Sequence, residues 1–159
     1  MKTITINHSI NQVKTTLGWM DNFRDQYKAD PDWVELARKI VRDAQAQTRE
    51  AETEAVRRFV KLYVEYRLDP AGVEYLQDPF YLMDSRTGDC DDMACLAGVL
   101  LSCIGHEVYA VGVVWEGDSQ PSHATCLDQT SNLMCDPVAN VPSWMWPEPP
   151  YILKRLVHR

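Results

Sequence analysis

One segment constrains this chain more than any other: a helix-patterned run that gives way abruptly to strand-patterned sequence. From Asp89 to Ile104 the apolar residues Met93, Ala97, Leu100, Leu101 and Ile104 recur at helical spacing and form one face. Gly105 stands where a helix C′ residue belongs. From His106 the period changes to strands. We expect one from His106 to Trp115, a second from Ser122 to Leu127, and a third from Leu133 to Asp136, after polar turns at 116–121 and 128–132.

Upstream, the pattern is helical. Asp30 is a good N-cap, Pro31 suits the first helical position, and Trp33, Val34, Ala37, Ile40, Val41 and Ala44 line one stripe. The polar stretch Gln45 to Thr53 is a break or a solvated continuation, and a second helix runs through Val56, Phe59, Val60, Tyr63 and Tyr66. Ile10, Val13, Leu17 and Met20 hint at a weaker helix, and Met1 to Asn7 alternates like a short strand. Asp69-Pro70-Ala71-Gly72 reads as a turn, Val73 to Gln77 as a short extended segment stopped by Asp78-Pro79, and Tyr151 to Val157 as a short helix after an irregular Trp- and Pro-rich tail. Glu50, Glu52, Glu54, Arg57 and Arg58 read as a solvated helix face. Helices first and an antiparallel sheet later give an α+β class: N-terminal helices and a Cys-bearing helix packed on a small antiparallel sheet. At 159 residues the expectation is one domain.

With 16 Lys plus Arg against 23 Asp plus Glu, the net charge of −7 disfavours nucleic acid and anionic membrane as partners, and the short basic tail from Lys154 does not change that. The longest apolar run, Met93 to Leu101, is far short of the ~20 residues that span a bilayer. The sequence opens without a signal-peptide pattern, so a cytoplasmic protein is expected. Five cysteines, an odd number, then point to reduced thiols rather than a disulfide framework.

Cys90 differs from the other four. It follows Gly88-Asp89 at the start of the third helix, where free N–H groups and the positive dipole end favour a thiolate. Asp89, Asp91 and Asp92 act in the opposite sense, so a neighbouring His⁺ decides the outcome. Asp89 suits the N-cap, and Asp92 can reach back as in a capping box. His123 opens a strand that can lie against this helix start, and Asp136 sits on the next strand. Cysteine, histidine and aspartate then form a nucleophile, base and orienter. Cys126 and Cys135 differ in strand parity from His123 and Asp136 and read as core thiols. That parity also counts against zinc held by His123, Cys126 and Cys135.

Gly88-Asp89-Cys90-Asp91-Asp92, the apolar helix to Ile104-Gly105, Ser122-His123 and Cys135-Asp136-Pro137 together resemble the transglutaminase-like (papain-like) cysteine-enzyme superfamily. Tyr66 to Asp78-Pro79 further resembles a small branch encoded by tailed phages and prophages. The match covers about residues 55–147, with 1–54 as a helical N-terminal extension. Thr125 and Leu133-Met134 depart from the aromatic residues often found beside the superfamily's His and Asp.

The resemblance implies Cys90 as nucleophile, His123 as base and Asp136 as orienter, acting on a peptide or protein amide through an acyl-enzyme. Hydrolysis (protease or amidase) and amine transfer (transglutaminase) share every step but the last. This chemistry needs no metal or organic cofactor. The Cys90 N–H is the natural first donor to the oxyanion; the side chain of Gln77 is a speculative second, against the commoner finding of a surface Gln. Trp144 and Trp146 are candidates to wall an acyl-binding cleft, with burial against the sheet as the favoured role for either. The alternative is a catalytically silent interaction module of the same fold, with a phage virion or assembly component as partner.

Overall fold

The computed structural model describes residues 3–6, 12–151 and 153–158. The ends of the expected strand at Met1 to Asn7, and Ile10, lie outside them. The elements are β1 (Thr3–Ile6), α1 (Gln12–Tyr27), α2 (Pro31–Asp43), α3 (Arg49–Tyr63), β2 (Glu65–Tyr66), β3 (Glu74–Gln77) and α4 (Pro79–Ser85). Then come β4 (Thr87–Gly88), α5 (Cys90–Cys103), β5 (Val108–Trp115), β6 (His123–Asp128), β7 (Leu133–Cys135) and β8 (Leu153–His158). The class is α+β, as expected. No helix among the described residues is long and apolar enough to cross a membrane.

The helix starts follow capping chemistry. Asp30 accepts from the Asp32 and Trp33 N–H groups with Pro31 next, and Thr48 accepts from Ala51 N–H at 3.1 Å. The stretch 45–48 is therefore a break. Asp78-Pro79 repeats the Asp30-Pro31 pattern and opens α4, with Asp78 accepting from Phe80 N–H at 2.9 Å. The extended segment does stop at this step, as the sequence reading expects, and the same step also opens a helix that the reading lacks.

α5 is the centre of the molecule: every residue from Asp91 to Leu101 is buried. On one side Leu96, Leu100 and Leu101 pack with Trp33 and Ala37 of α2 and Val56 and Val60 of α3. On another, Ala94 and Cys95 meet Leu17, Met20 and Phe23 of α1 and Leu76 of β3. The helix rests on an antiparallel four-stranded sheet of order β7-β6-β5-β8. Cys126 and Cys135 are cross-strand partners and both are buried in the α2/α3 cluster.

Three further expectations are corrected. Tyr151 to Val157 is not helical; residues 153–158 form β8, antiparallel to β5. The second helix ends at Tyr63, because Glu65–Tyr66 pairs in parallel with Thr87–Gly88. The acidic and basic run on α3 is only partly solvated. Arg57 Nε and Nη2 form a bidentate pair with Glu54 at 2.8 and 2.7 Å, both side chains buried. Arg57 Nη1 also donates to Ala139 O at 3.0 Å, and Glu54 accepts from Ser143 N–H at 3.0 Å. That pair fixes the chain segment leading away from β7.

Candidate active site

Each candidate residue sits at the end of an ordered element. Cys90 is the first residue of α5, a position whose N–H has no intrahelical acceptor. Asp92 reaches back from the third position to accept the Asp89 N–H at 3.3 Å, as the capping-box reading expects. His123 is the first residue of β6, paired with Val113. Asp136 follows β7; carrying the register one residue past Cys135 sets it across from Thr125, on the same side of the strand as His123.

The three side chains converge. His123 Nε2 is 2.7 Å from Asp136 Oδ2, leaving the other ring nitrogen for Cys90. Burial alone would lower the His123 pKa, but hydrogen bonds to Asp136 and to the Cys90 thiol outweigh it and lift the value to about 10. His123 is therefore an imidazolium at neutral pH. The Cys90 sulfur also accepts from Ala124 N–H at 3.5 Å. Asp136 is fully engaged: Oδ2 further accepts from Trp146 Nε1 at 3.0 Å and Oδ1 from Val138 N–H at 3.1 Å. Trp115 lies against the His123 ring, centroids 6.1 Å apart and planes 21° apart, and against Trp146 and Tyr151 in turn.

Gln77 is placed differently from expectation. Its amide nitrogen donates to Thr87 O at 2.8 Å and to Asp92 Oδ2 at 2.9 Å, so both protons are committed. Its backbone N–H meets Asp92 Oδ1 at 2.7 Å. Gln77 holds the carboxylate that caps the helix of Cys90 and has no side-chain proton left for an oxyanion. The two tryptophans also part company. Trp146 walls a cavity of about 380 Å³ that contains His123 and Asp136. Trp144 borders a larger groove of about 560 Å³ beside Leu36 and Phe59, which contains none of the three candidate residues.

The other thiols have structural surroundings. Burial raises the pKa of Cys95 far up and that of Cys103 to about 11. In Cys135 the hydrogen bond with Cys126, then burial, acts in the same sense. Sequence reasoning misses the Trp146–Asp136 bond and the Trp115 stack; only the Trp- and Pro-rich composition of the tail signals them.

This architecture has a solved counterpart. It is a crystal structure named as that of a "Putative Cysteine Protease from Cytophaga hutchinsonii", matched with a TM-score of 0.55 at 15% identity over 88% of this chain. At that identity the likeness is one of fold, and this chain spans 47% of the other protein's length. No protein-family model and no curated protein matches the chain.

Proposed function

We propose that this protein is a cysteine-dependent acyl-transfer enzyme of the transglutaminase-like superfamily, acting on a peptide or protein amide. The observation that carries the reading is His123, held by Asp136 at 2.7 Å and sharing a cavity with Cys90 at the helix N-terminus, whose sulfur accepts from the neighbouring Ala124 N–H. The fold shared with a protein named as a cysteine protease supports it at the level of architecture.

The reacting form is the ion pair in which the Cys90 proton has passed to His123. The thiolate attacks the amide carbonyl carbon, and the C–S bond forms as the carbonyl π pair moves to oxygen. The Cys90 N–H is the first donor to that oxyanion, and one such donor contributes ~3 kcal/mol. On collapse the C–N bond breaks and His123 gives its proton to the leaving amine, leaving a thioester. Water or a second amine then attacks, His123 takes the proton of that nucleophile, and the C–S bond breaks to return the thiolate. Asp136 keeps the ring in one orientation throughout.

Iodoacetamide labelling followed by mass spectrometry across pH, for the native protein and His123→Ala, tests the proposal. Labelling confined to Cys90 at neutral pH and abolished by His123→Ala is the expected result. Labelling of Cys90 that is no faster than that of Cys103, or indifferent to His123, would overturn it in favour of a silent interaction module.

A further inference from the structure

Two cavities meet at Ser122 and His123. The one walled by Trp115, Trp146 and Tyr151 contains His123 and Asp136 but not Cys90. The other, about 230 Å³, contains Cys90 and is bordered by Glu74, Asp89 and Asp91. Apart from His123, its described lining includes no basic residue. Asp69 stands behind this wall. Burial first, then the charges of Asp89 and Glu74, raise its carboxyl pKa. Gln12 Nε2 donates to Glu74 but is neutral and cancels none of that charge.

The carboxylates beside Cys90 are unequally satisfied. Asp89, Asp91 and Asp92 each offer an oxygen within 4.8 Å of the others. Asp92 is filled by N–H groups of Gln77 and Asp89. Asp91 is 2% exposed, and while its Oδ1 accepts from Asp92 N–H at 2.9 Å, its Oδ2 meets no N–H or hydroxyl donor; nor does the buried Oδ1 of Asp89. A buried acceptor without a donor is costly, and three carboxylates this close repel one another. Burial first, then a hydrogen bond with the Asp89 carboxyl and the charges of Asp92 and Asp89, push the Asp91 carboxyl well above its usual range: for want of a cation, the two acids pair with each other.

The sides of the cleft follow from the chemistry. The acyl carbon bonds to Cys90, so the acyl portion occupies the cavity that contains Cys90. The leaving nitrogen takes its proton from His123 and departs on the aromatic side. We infer that the acidic cavity is the acyl-side subsite and binds a cationic group, so that the preferred substrate carries a lysine or arginine side chain on the acyl side of the reacting amide. The inference rests on the acyl-transfer reading of Cys90. An ammonium or guanidinium in the cavity brings positive charge beside Glu74, Asp89 and Asp91, whose carboxyls have no cation of their own in the lining. A calcium ion would need 6–8 oxygen ligands, more than the two unfilled oxygens supply.

Inactivation of the full chain by N-acyl lysyl, norleucyl and glutamyl chloromethyl ketones, with kinact and KI measured separately and the alkylated residue located by mass spectrometry, tests this. The lysyl reagent should exceed its norleucyl isostere by at least about tenfold through KI, the glutamyl reagent should be slowest, and Asp91→Asn and Glu74→Gln should each shrink the lysyl advantage. The second variant alters the cavity rim and leaves the buried cluster intact, so it remains informative if Asp91→Asn does not fold. Equal lysyl and norleucyl rates at a selectively labelled Cys90 would overturn the cationic subsite alone. A norleucyl reagent that labels Cys90 no faster than Cys103 would overturn the acyl-transfer reading and this inference with it. Calcium titration showing stoichiometric binding that is lost in Asp91→Asn would overturn it in favour of a metal ion.

Discussion

Trp146 and Asp136 are joined by a 3.0 Å hydrogen bond from the indole Nε1 to Oδ2, the oxygen that also holds His123. The orienting carboxylate is thus itself oriented, by a residue from the tail beyond β7. Trp146→Phe keeps an aromatic ring and removes the donor. We expect Cys90 alkylation at neutral pH to slow by up to ~10-fold, the equivalent of one hydrogen bond of ~1.4 kcal/mol, while Asp136→Ala slows it further. Labelling rates, with circular dichroism to confirm folding, would check this.

The His123–Asp136 pair sets a pH dependence. The folded-state His123 pKa of about 10 is above its unfolded value. The stabilisation is therefore full below the unfolded value of ~6.5 and is lost as pH rises through about 10. We expect urea midpoints of the native protein to fall across that window, and those of His123→Ala to lack this component. In Asp136→Asn, the imidazole titration followed by NMR should move down by more than ~1 unit.

His106 is a second histidine held between carboxylates, away from the candidate site. Its side chain is fully buried, with Nδ1 2.6 Å from Asp128 Oδ2 and Nε2 2.6 Å from Glu52 Oε2. Burial would lower its pKa, but the bonds to Asp128 and Glu52 raise it; in Asp128, burial is likewise outweighed, by His106 and Thr53, and the pKa falls. The network contributes fully between ~4 and ~6.5, weakening above as His106 loses its proton and below as Asp128 gains one. His106→Ala leaves a buried carboxylate unpaired. We expect a loss of ~3–5 kcal/mol in urea unfolding at pH 6.

Gly88 is required by space. A Cβ there would lie 2.8 Å from Asp92 Oδ2, 2.9 Å from Asp92 Cβ and 3.0 Å from Leu82 Cδ1. Asp92 cannot retreat without giving up Gln77 and the Asp89 N–H. Gly88→Ala should cost ~1–3 kcal/mol in thermal or urea unfolding and slow the labelling of Cys90 by shifting the start of α5.

The helix of Cys90, the strand of His123 and the turn at Asp136 are legible in the sequence because each rests on local signals: a cap, a change of period, an Asp-Pro step. What is not legible depends on distant partners. Leu153, Leu156 and Val157 suggest a helical stripe, yet the open edge of β5 draws these residues into β8. Glu54 and Arg57 look like a surface i, i+3 pair until Ala139 and Ser143 cover them. Gln77 reads as a surface residue, yet it is half-buried, its side-chain amide shared between Thr87 O and Asp92, ten and fifteen positions on. Only α4 was within reach, through an Asp-Pro pair identical to the one that opens α2.

The burial of α5 on every side has a mechanical consequence. The Cys90 sulfur sits at the tip of a rod clamped along its length, whereas the walls of the cleft come from peripheral pieces: α1 and β3 toward one cavity, the tail between β7 and β8 toward the other. Such a body can be retooled by exchanging its periphery while the sulfur stays fixed in space. Engineering of selectivity should therefore begin at residues 66–77 and 138–151, and leave the rod alone.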